Sequence, residues 1–477
     1  MTEFVPRVSR STGSLLGFGR RGRDDGRTTR PIVQGMREGV REGMHENGAE
    51  GDRSSPIRVG FVSLHDPRDR GSLSGMPHAM FSALAKRHLE LVDLGRLDRS
   101  SRRIGPAHPI DRAVGRAHGV WERLVGGAAA RWRRRPDAMT RRLFARCRRR
   151  AAILEAAIDR HRPDVLFGNC MSSPFAFLDR EPDRDLPIVY SSDATAEIIA
   201  STYPRYTALG PAYAAATDEI ERLALRRVRF AALASPATLE SAVTTYGLPR
   251  ERGRVAGFGA NLGPRDVDGP SPPIEGPTRE ALRLTITAAD PVRKRLDLAI
   301  ECVGILRSRG WNASLDVIGP RPDGIGDEAG VRWAGRLDHA RPEHVARHAR
   351  ILAASHLCLL PSSGEAYGIA PIESAAFGRP AVVADVGGLP FVVRDGETGR
   401  VVPRNADAET LAGAVEEIAA APSTYRRMAS AARARAEGEL HWDVWAGAIF
   451  DLIRQAVEER RASGSGGLSD RGAAGRS

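Results

Sequence analysis

Two glutamates lie eight positions apart in the stretch PSSGEAYGIAPIESAAFGRPAVVADVGGLP, which runs from Pro361 to Pro390. Pro371 suits the first position of a helix, which predicts that a helix begins there and that Glu373 lies in its first turn. Glu365 then precedes the helix, and we expect both carboxylates at one rim of a cleft. A carboxylate accepts two hydrogen bonds from neighbouring sugar hydroxyls, and free N–H groups at a helix start suit phosphate. These residues predict a site for a sugar attached to a phosphate.

A structural role for Glu373 stays open at this point. A carboxylate in a first helical turn also stabilises the helix through its dipole. A capping box would need Ser or Thr at the N-cap, and Ala370 occupies that position of the predicted helix, which weakens the capping interpretation. The residues alone leave ligand contact and helix stabilisation as alternatives.

The elements that must position these glutamates alternate between short apolar runs and helical segments. Such alternation predicts parallel sheets covered by helices on both faces. A first series occupies 56–262, a stretch dense in Pro and Gly over 263–280 is predicted to be a linker, and a second series occupies 281–438. We therefore predict an α/β fold of two doubly wound, Rossmann-like domains facing across a cleft, with ligands at the carboxyl ends of the strands.

Other segments complete this predicted organisation. Residues 1–55 and 461–477 are rich in Gly, Arg and Ser and are predicted to be disordered. An Arg-rich helical region occupies 96–162 of the first domain. A C-terminal helix over 439–460 is predicted to cross back to the N-terminal domain.

The composition bounds the class of protein. The chain has 477 residues, 42% of them hydrophobic and 27% charged, and no apolar run of membrane-spanning length. Its four cysteines show no CxxC spacing and predict neither a disulfide framework nor a zinc site. The N-terminal stretch lacks the apolar core of a signal peptide, so we expect a cytoplasmic protein.

The net charge is +12, and lysine occurs only at Lys86 and Lys294. In a chain so biased towards arginine, a retained lysine points to a position where a compact point charge is needed. We interpret Lys86 as a chance survivor and Lys294 as a candidate functional residue.

The region from Arg96 to Arg150 is intensely basic and contains Trp121, Trp132 and Phe144. It could dock on an anionic membrane surface, such as the inner face of the plasma membrane, or it could be a solvated helix face in an arginine-rich chain. No recognised nucleic-acid module accompanies the charge, so nucleic-acid binding is not predicted.

The stretch around the two glutamates resembles the signature of retaining glycosyltransferases of family 4, the group 1 glycosyltransferases. That signature is Glu, seven residues, Glu, then A-x-G-x-P-x-V and Gly-Gly. Other matching pieces follow in the family's order over about 56–455: SGMPHAM, IVYSSDAT, GFGANL, RKRLDLAI and WAGRLD. The resemblance implies the two-domain GT-B fold and a nucleotide-sugar donor as substrate, with no cofactor and no metal. It implies retaining sugar transfer to a glycan, lipid-linked or small-molecule acceptor in polysaccharide or glycoconjugate synthesis.

The resemblance also implies roles for residues of the second domain. Glu365 matches the glutamate that contacts the donor sugar, Glu373 the one that holds the ribose hydroxyls, and Lys294 the lysine that contacts the donor phosphates. The family often has an arginine just before this lysine, and here Arg293 or Arg295 would have to substitute. The loop residues that match the family's backbone contacts to the sugar and diphosphate are Ala366, Tyr367, Gly368 and Ile369.

In the first domain, Asp193 stands where many relatives carry a histidine near the donor sugar and acceptor. It is either a base or sugar-hydroxyl acceptor, or a helix N-cap, and the two roles are compatible. Gly71 and Gly75 bracket a loop that approaches the reaction centre in the family, or form an ordinary turn. Asn261 could reach the donor phosphate or sugar, or could be a turn residue. The resemblance thus predicts Asp193, Glu365 and Lys294 as the catalytic residues.

A glycine pair, Gly387 and Gly388, is predicted to form a tight turn beside the same cleft. The family frequently has a glutamate shortly after this pair, where Phe391 stands here. We interpret that difference as variation within the family.

Two rival functions stay open. One is a GT-B sugar-nucleotide epimerase, which uses the fold without an external acceptor, and the other is a non-catalytic sugar-binding or scaffold protein. The six matching pieces argue against the epimerase, and the retention of Lys294, Glu365 and Glu373 argues against the scaffold.

Overall fold

The computed structural model describes most of the chain from residue 55 onward. The described residues are 55–95, 97, 136–180, 186–267, 275–326 and 328–466. Residues 1–54 and 467–477, nearly all of the two segments predicted to be disordered, lie outside the described residues, as do 98–135 of the Arg-rich region.

The first of two parallel sheets has six strands in the order β2-β1-β3-β4-β5-β6. The strands are β1 (Ile57–Val62), β2 (Leu89–Asp93), β3 (Val165–Asn169), β4 (Ile188–Ser192), β5 (Phe230–Leu233) and β6 (Gly253–Val255). Every residue of β3, β4 and β5 is buried, as expected for parallel strands covered on both faces. The helices in this half are α1 (Met76–Leu84), α2 (Pro136–His161), α3 (Ala196–Thr202), α4 (Pro204–Thr207), α5 (Pro211–Leu225) and α6 (Pro236–Thr244).

The second sheet also has six parallel strands, in the order β12-β11-β10-β7-β8-β9. The strands are β7 (Leu282–Thr287), β8 (Ala313–Ile318), β9 (Val331–Gly335), β10 (Leu357–Leu360), β11 (Ala381–Ala384) and β12 (Gly399–Val402). The helices that follow from β7 onward are α7 (Leu296–Ser308), α8 (Pro342–Ala354), α9 (Ile369–Ala376), α10 (Leu389–Val392), α11 (Ala408–Ala419), α12 (Pro422–Gly438) and α13 (Trp442–Gly466).

Three strands, β2, β6 and β12, carry too weak a hydrophobic signal to be predicted from the sequence. All three are edge strands. Every residue of β2 is only half-buried, β6 is three residues long, and only the two ends of β12 are buried. An edge strand buries less apolar surface than a central one, so its apolar run is shorter or broken.

The last helix, α13, packs on the first sheet although it follows the second sheet in the chain. The Trp445 ring lies 5.8 Å from Phe167, and its Nε1 donates a hydrogen bond to Ser191 Oγ at 3.2 Å. The helix continues to Gly466, beyond the end predicted at residue 460. No helix in the described part of the chain is long and apolar enough to span a membrane.

An apolar cluster joins the two halves beneath the cleft. Phe258, after β6, stacks on Trp442 of α13 with ring centroids 5.4 Å apart. A second neighbour is Tyr367, in the loop before α9, also at 5.4 Å, and Trp445 lies 6.4 Å away. Tyr367 is 1% exposed and donates its hydroxyl to the Phe258 carbonyl at 3.1 Å. The two carboxyl-end loops are therefore held together by packed aromatic rings.

Candidate active site

Glu365 lies in the loop between β10 and α9, and two cations from the loop after β7 hold its carboxylate. Arg293 Nη1 donates to Glu365 Oε2 at 3.0 Å and to the Gly364 carbonyl at 2.8 Å. Lys294 Nζ donates to the same Oε2. Because β7 and β10 are neighbours in the sheet, the loops at their carboxyl ends meet, which brings these residues together.

Burial sets the electrostatics of this cluster, since the three side chains are only 9–11% exposed. Burial raises the pKa of Glu365, but Lys294 and Arg293 lower it by more, so that its pKa lies below the ordinary value. Burial lowers the pKa of Lys294, and the charge of Glu365 offsets only part of that effect. An ion pair shielded from water is strong, so the cluster is a compact charged site.

The structure separates the two arginines that could replace the family's arginine. Arg293 belongs to the cluster around Glu365. Arg295 is the N-cap of α7, with a left-handed φ of 49°, and donates to the Ala406 carbonyl at 3.2 Å. Of the two candidates, Arg293 alone contacts the predicted sugar-binding glutamate in the structure described.

Helix α9 begins at Ile369, so the predicted start at Pro371 is wrong. Gly368 is the N-cap, with a left-handed φ of 104°, and a Cβ there would overlap the Leu389 side chain. Only glycine adopts this conformation readily, which is why the helix starts two residues early. Glu373 therefore lies in the second turn, and the first turn contains no acidic residue. The first-turn dipole and capping interpretations of Glu373 no longer apply.

Glu373 is a buried carboxyl group, 4% exposed, and no hydrogen bond or ion pair to it is found among the described residues. Burial, with a smaller contribution from the charge of Asp266, raises its pKa to about 8. An unpartnered buried polar group is costly and indicates a place where a ligand supplies the missing contacts.

From the first domain, Asp193 follows β4 and faces the same cluster. Burial, with a smaller contribution from the charge of Glu365 across the cleft, raises its pKa to about 6. The N-cap of α3 is Thr195, whose hydroxyl accepts a hydrogen bond from the Ile198 amide at 3.4 Å. The alternative that Asp193 caps this helix is therefore wrong.

The loop after β1 contains Gly71 and Gly75 and lies against both domains. Gly75 has a left-handed φ of 82° and is the N-cap of α1. A Cβ at Gly71 would lie 3.1 Å from Asp338 Oδ1 in the WAGRLD segment. Asn261 donates to the Ser74 carbonyl and accepts from Trp442 Nε1 at 3.0 Å. Asn261 thus ties this loop to α13, and its contact with a donor stays a prediction.

The glycine pair supports the Glu365 loop from below. Gly387 has a left-handed φ of 55°, and a Cβ there would overlap the Glu365 carbonyl oxygen. The Gly388 amide donates to the Ala366 carbonyl at 3.0 Å. Phe391, where the family frequently has glutamate, packs beside Tyr367 at 6.5 Å. Ala366 and Tyr367 therefore meet the cleft through backbone, since the Tyr367 side chain is turned into the core.

Tyr203 is a residue of the site that the sequence did not reveal. It lies between α3 and α4, and the Arg293 guanidinium carbon lies 4.9 Å from its ring centroid. Its neighbourhood, STYPRY, has no periodicity and no catalytic pattern. The concentration of two tyrosines and an arginine in a Pro-containing connection is the one signal that could have drawn attention to it.

The fold is similar to that of two proteins of known structure. WaaG, a glycosyltransferase involved in lipopolysaccharide biosynthesis, aligns with a TM-score of 0.51 and 18% identity over 83% of this chain and 99% of its own. HepE of Anabaena, solved with UDP and glucose, aligns with a TM-score of 0.51 and 13% identity over 84% of this chain and 100% of its own. The predicted two-domain GT-B fold is confirmed.

Residues 282–421 match the family model described as glycosyl transferases group 1. This match, over the second domain, supports the resemblance to group 1 glycosyltransferases that the sequence motifs indicated. Two similar curated proteins are D-inositol 3-phosphate glycosyltransferases. That of Streptomyces griseus subsp. griseus is 32% identical over 180 residues, 35% of this chain and 38% of the relative. That of Rhodococcus opacus is 30% identical over 228 residues, 45% and 50%. This chain thus spans half or less of the length of each relative.

Proposed function

We propose that this chain is a retaining glycosyltransferase that moves a sugar from a nucleotide-sugar donor to a hydroxyl of an acceptor. The observation that carries the proposal is the buried Glu365 carboxylate, held by Lys294 and Arg293 and facing Asp193 across the cleft. A GT-B cleft with charged groups at the carboxyl ends of both sheets suits a polar, doubly charged substrate.

In the proposed reaction, the bond between the anomeric carbon and the donor phosphate oxygen breaks. Its electron pair leaves with the nucleoside diphosphate, while the acceptor oxygen bonds to the anomeric carbon and its hydroxyl proton is released. Lys294 and Arg293 offset the negative charge that develops on the leaving diphosphate, a type of stabilisation worth several kcal/mol in buried sites. The proposal assigns this task to side chains, with the nucleotide sugar as a substrate and no resident cofactor or metal.

The carboxyl groups have separate tasks in this proposal. Glu365 binds hydroxyls of the transferred sugar, and Glu373 binds the ribose, whose hydroxyls supply hydrogen-bond partners for its buried carboxyl group. Asp193, with a pKa of about 6, is ionised at neutral pH and accepts a hydrogen bond from a sugar or acceptor hydroxyl. The proposal assigns the diphosphate to the backbone of Gly368 and Ile369, since free N–H groups at the start of α9 suit phosphate.

The acceptor class is proposed more broadly, as a glycan, a lipid-linked sugar or a small polyol. D-inositol 3-phosphate is the first acceptor to assay, because the curated relatives are named for it. The rival functions are distinguished in the same assay. Acceptor-dependent release of the nucleotide supports the transferase, conversion of the sugar nucleotide without acceptor supports an epimerase, and binding with neither supports a scaffold.

We expect a panel of nucleotide sugars to contain one that raises the melting temperature of the protein, and Glu373→Ala to abolish that rise. A ligand at 100 times its Kd stabilises a protein by about 2.7 kcal/mol, which a thermal-shift measurement resolves. The matched control is Glu301→Ala, at an exposed position of α7, which should keep the full shift. An undiminished shift in Glu373→Ala contradicts the ribose contact.

We also propose that the basic region 96–150 binds an anionic membrane surface peripherally. Its described part is the first half of α2, where Arg141, Arg142 and Arg146 are exposed. Phe144 packs against Phe177 with centroids 5.9 Å apart, so this aromatic ring contributes to the core and not to a lipid contact. Charge attraction, worth about 1 kcal/mol per arginine near such a surface, would drive the binding.

Replacing Arg141, Arg142 and Arg146 together with serine should weaken binding to vesicles that contain anionic phospholipid by roughly 100-fold, following that energy per arginine. Sedimentation with vesicles at several salt concentrations measures it, and neutral vesicles should bind neither protein. The control removes the same charge from three exposed positions of the second domain, Arg347, Arg404 and Arg426. Equal weakening by both triple variants would contradict a role for this region.

A further inference from the structure

We propose that Tyr203, in the first domain, is a positioning residue of this site. Its ring orients Arg293, and Arg293 in turn orients the Glu365 carboxylate of the second domain. The proposal rests on the proposed function, in which Glu365 binds the transferred sugar. Tyr203 lies outside residues 282–421, which match the family model, and outside the motifs that carry the family resemblance.

The backbone holds the Tyr203 ring in place. Its amide donates to the Ile199 carbonyl at 3.0 Å as α3 ends, and Pro204 follows as the first residue of α4. A residue before proline is restricted to extended conformations, and Tyr203 has φ −112° and ψ 107°. Two short helices therefore fix the direction of the side chain from both sides.

The ring contacts the guanidinium group of Arg293, which holds the Glu365 loop, while Arg205 lies farther from it, with its guanidinium carbon 5.7 Å from the Tyr203 centroid. The Arg293 guanidinium carbon lies 4.9 Å from the Tyr203 ring centroid, within the range of a cation–π interaction. The same Arg293 Nη1 bonds both the Gly364 carbonyl and the Glu365 carboxylate. A guanidinium group is planar, so a ring that fixes its plane also fixes the direction of its hydrogen bonds.

The ring also takes the place of water beside Arg293, whose side chain is only 11% exposed. Water at that position would compete for the guanidinium and weaken its bond to Glu365. Removing the ring should therefore loosen the ion pair by hydration as well as by loss of the stacking contact.

The backbones of the two domains touch at the same place. A Cβ on Gly364 would lie 2.7 Å from the Thr202 carbonyl oxygen, so the residue before Tyr203 and the residue before Glu365 are in direct contact. The absence of a side chain at Gly364 permits this approach. Tyr203 thus reaches Arg293 only when the two domains are as close as they are here, which couples their approach to the alignment of Glu365.

The charged groups that face Glu365 are Lys294 and Arg293 from its own domain and Asp193 from the first domain. Burial raises the pKa of the Tyr203 phenol, and the nearby charges of Glu365 and Asp193 raise it further. The phenol therefore stays protonated and faces both carboxylates. These charges agree with the geometry, and they make the pKa of Glu365 the quantity that a pH-dependent test should follow.

Tyr203→Ala should lower kcat/KM for the donor by about 10- to 100-fold, the range expected when reacting groups are displaced slightly. Its pH profile should change as well. Arg293 helps to keep the pKa of Glu365 low, so a loosened Arg293 raises that pKa. The acidic limb of kcat/KM, which begins with Asp193 at a pKa of about 6, should then become steep at a higher pH than in wild type. Tyr203→Phe keeps the ring, so it should restore most of the activity and the wild-type acidic limb of the kcat/KM profile.

Tyr206→Ala is the matched control. The Tyr206 ring lies 6.4 Å from that of Tyr203 and contacts Arg205 at 5.0 Å, but Arg205 is exposed and is not bound to Glu365 in the structure described. Tyr206 is half-buried, but its removal leaves the Tyr203 ring and Arg293 in contact, so this variant should leave kcat/KM within about twofold of wild type. An acidic limb that is the same in Tyr203→Ala and wild type, or a loss in Tyr203→Phe as large as in Tyr203→Ala, would overturn the proposal.

Hydrogen–deuterium exchange of the unliganded protein separates this inference from the proposed function. We expect peptides covering residues 361–368 to exchange faster in Tyr203→Ala than in Tyr206→Ala or wild type, because Arg293 no longer holds the Gly364 carbonyl firmly. Wild-type protein that shows no transfer with any donor would overturn the proposed function alone. Unchanged exchange in Tyr203→Ala would overturn the positioning role whatever the activity is.

Discussion

Glu365→Gln should lower the rate of sugar transfer by about 100- to 1000-fold, the range found when one buried electrostatic contact to the reacting groups is lost. The carboxylate binds the transferred sugar in the proposed function, and it also aligns the two cations that face the leaving diphosphate. Glutamine keeps the size of the side chain but removes its charge. Lys294 and Arg293 would then lie buried without their counter-charge, and breaking a buried pair in this way costs about 3–5 kcal/mol of stability.

Initial rates with saturating donor and thermal denaturation measure the two effects separately. Glu397→Gln is the matched control, because Glu397 pairs with Arg394 at 3.1 Å on the surface, with 52% of its side chain exposed. A surface pair is worth at most about 1 kcal/mol, so this variant should keep both activity and stability. A Glu365→Gln protein that unfolds more easily but transfers sugar at the wild-type rate would contradict the sugar contact and leave only a structural ion pair.

Gly387→Ala should disrupt the same site without changing any charged residue. The Cβ would overlap the Glu365 carbonyl oxygen, and the left-handed φ of 55° is unfavourable for alanine. The backbone strain costs about 1–3 kcal/mol, and the overlap costs typically about 1–3 kcal/mol more. Because the overlap is with the Glu365 backbone, a shift of this loop that relieves it disturbs the contacts of Glu365 with Lys294 and Arg293. A displacement of this kind lowers activity by about 100-fold.

Gly396→Ala distinguishes the overlap from the backbone strain. Gly396 also has a left-handed φ, 72°, but a Cβ there meets no atom within 4 Å. This variant should lose stability through backbone strain alone and keep its activity. Donor-dependent transfer rates and melting temperatures of both variants give the comparison, and equal activities would show that the Glu365 loop accommodates a methyl group.

The sequence alone predicted the chemistry of the stretch that contains Glu365 and Glu373. The spacing of Glu365 and Glu373, the isolated Lys294 and the order of the matching pieces predicted a resemblance to group 1 glycosyltransferases, which the match over 282–421 supports. They also predicted the GT-B fold, which is confirmed. Central strands such as β3 and β10 were equally clear, because a strand buried on both faces needs a continuous apolar run. These features are local, since they depend on neighbouring residues in one segment.

Local conformation was less predictable, even beside these motifs. The sequence indicated a helix start at Pro371, but the left-handed backbone at Gly368 starts α9 two residues earlier and puts Glu373 in the second turn. The sequence also left open that Asp193 is a helix N-cap, but the N-cap is Thr195, whose hydroxyl accepts a hydrogen bond from the Ile198 amide. In both cases the decisive property is a backbone dihedral or a hydrogen-bond distance, which residue types constrain without determining.

The sequence by itself predicted the resemblance to group 1 glycosyltransferases, the two-domain fold and the identity of the two glutamates and the lysine, because each follows from residue types at fixed spacing. The tertiary structure alone decided which arginine joins Glu365, that Glu373 has no hydrogen-bond partner among the residues the structure describes, and that Tyr203 lies on Arg293. Tyr203 and Arg293 are 90 positions apart in the chain. Their contact depends on how the first domain approaches the second, and no local pattern records a distance between segments that meet only through packing.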